Sequence, residues 1–152
     1  GYEITTDPDR VDAERVHHWL STDAYWAIGR TREKQDRAIA GSLNFGVYDT
    51  GSGEQVAYAR VVTDMAETWI IQDLFISPEY RYVGLGSWLL HCCLTHPGAS
   101  GCQRIIALSD SAPAFLERNG FICHDALPGI YLRTVSPDGL GDSVRADRTQ
   151  HH

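Results

Sequence analysis

The residues best suited to chemistry lie between positions 73 and 90, Asp-Leu-Phe-Ile-Ser-Pro-Glu-Tyr-Arg-Tyr-Val-Gly-Leu-Gly-Ser-Trp-Leu-Leu. Gly84 and Gly86 let main-chain N–H groups approach an anion without a Cβ in the way. A helix starting behind them adds about half a positive charge and several unpaired N–H donors. Gly84, Gly86 and the helix start behind them therefore form a candidate cradle for a phosphate. The spacing is not G-x-G-x-x-G, because position 89 is Leu, and no Gly-Lys-Ser/Thr follows to make a Walker loop. Just upstream, Asp73 alternates with Trp69, Ile71 and Phe75, an apolar set in which a carboxylate needs a reason. It is either a general base or a structural carboxylate held by neighbouring backbone or an arginine. Tyr25 and Trp26 are adjacent aromatics in a connecting segment. They either wall an acceptor pocket together with Trp69, since aromatic faces attract ammonium groups, or staple the segment to the core.

The elements that must position these residues follow from the pattern. Glu3–Thr5 predicts a short strand. Asp7 as N-cap and Pro8 at the first helical position predict a helix running to about Leu20, with Val11, Val16, Trp19 and Leu20 on one face. A second, charged helix spans Thr31 to Ala40 and ends at Gly41. Residues 43–48 and 55–63 alternate as strands around the turn Thr50-Gly51-Ser52-Gly53, and 69–76 makes a third antiparallel strand. Ser77-Pro78 stops it. The helix after the glycines carries Leu85, Leu89, Cys92, Cys93 and His96 at helical spacing and ends at Pro97-Gly98. Residues 104–108 form a strand parallel to 69–76, because a helix links the two. Asp110 is the expected cap of a last helix through Phe115 and Leu116 to Asn119, ended by Gly120. Residues 121–123 and 129–133 are expected to close the sheet, and 135–152 to be a polar tail.

Length suits one domain with a single core. The net charge of −7 disfavours a nucleic-acid partner, which needs a basic stripe, and is compatible with a cationic acceptor such as an amine. No run approaches the ~20 apolar residues that span a bilayer, and the start has no basic-then-apolar signal pattern. Cys92, Cys93, Cys102 and Cys123 form no C-x-x-C pair, which predicts reduced core thiols and a cytoplasmic location. The histidines at 17, 18, 91, 96 and 124 lack ligand spacing, so no metal is expected.

Arg81-x-x-Gly84-x-Gly86 resembles the pyrophosphate motif, Gln/Arg-x-x-Gly-x-Gly/Ala, of the GCN5-related N-acetyltransferase (GNAT) family. The predicted order β-α-α-β-β-β-α-β-α-β-β is similar to the α/β, three-layer fold of that family, with its mixed, mostly antiparallel sheet, over residues 2–134. Arg118-Asn119-Gly120-Phe121 matches a Gly-Phe common after its last helix. The resemblance implies transfer of an acetyl group from acetyl-coenzyme A to an amine of a small molecule or peptide, by direct attack in a ternary complex, by a monomer or homodimer. It implies that the amides of Arg81, Tyr82, Val83, Gly84, Leu85, Gly86 and Ser87 hold the cofactor's diphosphate, that Leu74, Phe75 and Ile76 lie along the pantetheine arm, that Ser111 and Phe115 join the cofactor site, and that Asp73 is the base, with His124 and Glu67 as lesser candidates. Leu116 departs from the family pattern, which places a Tyr there to protonate the leaving thiolate; Ser109, Ser111 or Tyr131 are its possible substitutes. That departure keeps a second reading open, a non-catalytic acyl-coenzyme A sensor. A plain α/β interaction domain is a third, and it predicts no coenzyme A binding.

Overall fold

The structure, a computed structural model, describes residues 1–109 and 112–123. Among these, five strands form one sheet in sequence order: β1 (Tyr2–Thr5), β2 (Leu43–Asp49), β3 (Gln55–Thr63), β4 (Thr68–Ile76) and β5 (Arg104–Ala107). The first four run antiparallel and β5 lies parallel to β4. Helices α1 (Ala13–Thr22) and α2 (Arg32–Ala40) pack one face, and α3 (Leu85–Thr95) packs the other. The α4 helix is Pro113–Arg118. The element order up to α4 is the one expected. The predicted strand at 121–123 carries no strand pairing, and its expected partner, 129–133, lies outside the described residues, as does the predicted tail.

The first helix is shorter than its sequence suggests. Asp7 and Pro8 start only one 3-10 turn, Pro8–Arg10, after which Val11 is extended at ψ 120°. The Asp12 N–H turns to Gln55 Oε1 at 2.9 Å, and Asp12 becomes the cap of α1 by accepting from Arg15 N. A long-range bond thus overrides local helix propensity. At α4 the cap position falls on Ala112, whose methyl group bonds nothing, while Pro113 opens the helix as expected.

Two cores flank the sheet. Phe45, Val47, Val61, Trp69, Ile71, Leu85, Leu89, Leu90 and Cys93 fill the α3 side. Val16, Trp19, Leu20, Tyr58 and Phe75 fill the α1 side. Trp69 and Phe75 therefore face opposite ways, contrary to the simple alternation of the sequence. The cause is a bulge. Tyr58 pairs with Phe75 and Arg60 with Gln72, so Ala59 alone stands opposite both Asp73 and Leu74. Asp73 takes φ +54°, in the left-handed region. An extra residue in one strand reverses the facing of all that follow. Leu74 and Ile76 consequently pack toward α3, and Phe75 stacks on Trp19 with ring centroids 5.7 Å apart.

The bulge is held by charge. Asp73 is 4% exposed. Arg30 grips it from the loop before α2, with Nη1 at 2.7 Å from Oδ2 and Nη2 at 3.2 Å from Oδ1. Arg60 of β3 donates from Nε to Oδ2 at 2.6 Å, and the Trp26 indole N–H donates to Oδ1 at 3.1 Å. Burial alone pushes the Asp73 carboxyl up, but hydrogen bonds and charge from Arg30 and Arg60 outweigh it and hold the group below the usual carboxylate range.

Replacing Asp73 by Asn leaves two buried guanidinium groups without their counter-ion. We expect Asp73→Asn to lower unfolding stability by about 3–5 kcal/mol, read from the urea midpoint. The sign with pH follows from the depressed folded-state value. The contribution is complete above the unfolded carboxylate pKa of about 3.9 and is lost as pH falls through the lower folded-state value, so acid unfolding of the parent is steeper there than that of the variant.

Candidate active site

The strands β4 and β5 pair only from Thr68↔Arg104 to Ile71↔Ala107, followed by one further bond from Leu108 N to Ile71 O at 3.1 Å. Beyond Ile71 the β4 strand enters its bulge and the chain after β5 departs toward α4. The two parallel strands therefore part, and a cleft of about 60 Å³ opens between them. Its walls are Gln72, Asp73 and Leu74 of β4, Leu108 and Ser109 after β5, Leu90 of α3, Phe115 and Leu116 of α4, and Trp26. The lining is largely apolar with a few polar groups, the usual make-up of a small-molecule site.

The glycine turn lies beside this cleft. Tyr82 and Gly84 both take left-handed conformations, φ +64° and +85°, which fold the chain back on itself before α3. The first helical bond of α3 is Trp88 N to Gly84 O at 3.1 Å, and no side chain caps the helix. The amides of Leu85, Gly86 and Ser87 precede that bond and so belong to the unpaired first turn. A Cβ at Gly86 would sit 3.6 Å from the Phe115 ring and 3.8 Å from Ile76, so α4 and the end of β4 close on the turn at this glycine. Arg81 donates from Nε to Ile76 O at 2.9 Å and lies over the Phe75 ring at 5.2 Å, pinning the turn to the end of β4.

The other predicted site residues divide. Trp26 lines the cleft with its indole N–H on Asp73. Trp69 does not belong there. It is fully buried at the far end of β4, donates to Cys93 O at 3.1 Å and stacks on His96. Its alternation with Ile71 marks it as core on the α3 side. Glu67 is exposed just ahead of that same far end, remote from the cleft. Ser111, His124 and Tyr131 lie outside the described residues, and Tyr25 is placed only by its backbone, in the 3-10 turn Tyr25–Ala27. Leu116 lines the cleft.

For Asp73 the geometry matches the structural alternative and argues against a general base. A base must be free to take a proton and have a pKa near the working pH. Both Asp73 oxygens already accept from cationic or indole donors, and its pKa is depressed. Sequence reasoning missed its partners. Arg60 was the visible signal: a lone charge inside the apolar run 56–62 requires a buried counter-charge, and Asp73 is the one carboxylate within the next strand.

Among the described residues no helix is long and apolar enough to cross a membrane, and no group of three His, Cys, Asp or Glu side chains is placed to hold a metal ion. Comparison with known proteins gives the geometry its context. Residues 41–123 match a family model described as an acetyltransferase (GNAT) domain. A crystal structure of a Xanthomonas campestris protein, provisionally assigned to the GNAT family, is 31% identical with a TM-score of 0.77, over 87% of this chain and 94% of that one. A Gibberella zeae protein provisionally named an acetyltransferase is 28% identical over 106 residues, 59% of this chain, and the match spans 60% of that relative's length. N-acetylglutamate synthase of Neisseria gonorrhoeae, solved with coenzyme A and N-acetyl-glutamate, shares the fold at 20% identity and a TM-score of 0.66, over 85% of this chain and 30% of that one. The parted strands, the uncapped glycine turn and these matches together identify the chain as a member of the GNAT family of acetyltransferases.

Proposed function

We propose that this chain moves an acetyl group from acetyl-coenzyme A to an amine of a small molecule or peptide, by direct attack with both substrates bound. One observation carries the reading: the gap between β4 and β5 opens beside a helix start whose first amides have no partner among the described residues. The bound thioester supplies an activated acetyl group. The amides of Leu85, Gly86 and Ser87, with those of residues 82–84, hold the diphosphate; the Arg81 amide is already on Pro78 O, and its Nη groups remain for the diphosphate once Nε is on Ile76 O. Leu74, Phe75 and Ile76 present a main-chain edge that β5 leaves unpaired, where an N–H can stabilise a developing oxyanion by about 3–4 kcal/mol. Leu90, Phe115 and Leu116 exclude water from the cleft. The unpaired state of Cys92, Cys93, Cys102 and Cys123 suits a reducing, cytoplasmic setting.

Asp73 acts in this reading through position, not proton transfer. It fixes the bulge and the Trp26 indole beside the cleft. The acceptor amine, with an ordinary pKa near 10, loses its proton to solvent before attack. Leu116 offers no proton either, so protonation of the departing thiolate is left to solvent, which a thiol pKa of about 8.5 permits.

A thiol-release assay with acetyl-coenzyme A against a panel of amines tests the function. Release with at least one acceptor is expected; tight cofactor binding with no release from any acceptor would favour the sensor instead. Gly84→Glu places a carboxylate in the anion turn at a φ of +85°. No atom within 4 Å obstructs a Cβ there, so the fold should survive at a cost of about 1–2 kcal/mol while coenzyme A affinity falls at least about tenfold by calorimetry. Without an enzymic base, kcat/KM should climb with pH and its apparent pKa should follow that of the amine when acceptors of different basicity are compared. One inflection near neutrality shared by all acceptors would instead reveal a base on the protein.

A further inference from the structure

Behind Gln72 and Asp73 lies a cluster with more cationic charge than its neighbours neutralise. Arg30 and Arg60 are largely buried, with side chains 15% and 11% exposed, and among the described residues Asp73 is the sole carboxylate paired with either. Two guanidinium groups therefore share one counter-ion. The hydrogen bonding is equally one-sided. A guanidinium offers five N–H donors. Arg30 uses three, on Gln35 Oε1 and the two Asp73 oxygens. Arg60 uses three, on Asp73 Oδ2, Ser42 Oγ and Gln72 Oε1. Gln35 is fully buried, and because its Oε1 accepts from Arg30, its Nε2 is left as a donor with no acceptor among the described residues. A buried cluster of this kind lacks acceptors and negative charge, and both deficits cost free energy.

The cluster meets the cleft. Gln72 and Asp73 line it and are each bonded to one or both arginines, and Trp26, also in the lining, is bonded to Asp73. We propose that the acceptor is an amine that also carries a carboxylate close to its amino group, and that Arg30 and Arg60 select it through that carboxylate. This rests on the acetyl-transfer reading above. A planar carboxylate supplies the missing charge and accepts from guanidinium N–H groups left over, which match it in geometry. The protein's overall net charge of −7 does not oppose this. Exposed charges more than about 8–10 Å away are screened, whereas partly buried guanidinium groups act at short range. The same local charge repels a diamine, whose second ammonium group would face two arginines and a single carboxylate.

Matched acceptors test the proposal: α-amino acids against the corresponding α-amino carboxamides, with a simple diamine as a third arm. For the parent protein, kcat/KM should favour the acid over its carboxamide by about 10–100-fold, the range of a charge-assisted hydrogen bond. Arg30→Lys, which keeps the charge but loses the fork, should shrink that ratio. Equal use of acid and carboxamide, or preference for the diamine, would overturn the proposal while leaving acetyl transfer intact. Should no amine release thiol, titration of the ¹⁵N-labelled protein with the same acids and carboxamides still decides it. The Trp26 indole N–H signal should shift with the acids only. Such a shift without turnover would support carboxylate selection and count against acetyl transfer; no shift would overturn the carboxylate site itself.

Discussion

A carboxylate buried in the middle of a sheet, on a residue with a left-handed backbone, is the constraint on which the site depends. Left-handed geometry at a non-glycine residue costs about 1–2 kcal/mol, and an unpaired buried charge costs several more. Neither is tolerable alone. Together with Arg60 on β3 and Arg30 ahead of α2 they become a three-way tie between two strands and the α1–α2 connection. The tie keeps the extra residue of β4 in place. That residue reverses the facing of Leu74, Phe75 and Ile76 and coincides with the point at which β5 stops following β4.

Function follows from where the strain is placed. A regular β4 would offer no opening beside β5, and its edge amides would be paired. The bulge instead leaves a short length of strand edge facing a cleft, and the next feature along the chain is the turn whose glycine at φ +85° starts α3 without a side-chain cap. Edge and helix start are thus two sets of unpaired main-chain donors, separated by residues 77–84 and tied by the Arg81 bond to Ile76 O. Neither set requires a particular side chain, and in the proposed function this is how an apolar cleft takes a long, polar cofactor.

The strands, the parallel β4–β5 pair, the second helix and the glycine turn were all legible in the sequence, because each is encoded locally by alternation, by helical spacing or by turn residues. The errors have a common physical origin in contacts distant in sequence. The Asp12 N–H bonds Gln55, and the helix expected from Asp7 breaks accordingly. The bulge shifts Phe75 to the face opposite Trp69, and no local pattern announces a one-residue insertion in an otherwise regular strand. The sequence leaves Asp73 two roles because it does not show which charges meet. Arg60 within an apolar strand was the clue available, whereas Arg30, in a polar loop, gave none.

In the proposed function, the opening made by the bulge and the amides of the glycine turn form one continuous cofactor site. A crystal structure of this chain with coenzyme A tests it most directly. The diphosphate is expected on the amides of Leu85, Gly86 and Ser87 and the thiol between Leu74 and Leu108, with the Asp73 ion pairs unbroken. Coenzyme A bound elsewhere, or a thiol on the opposite face of the sheet, would contradict it.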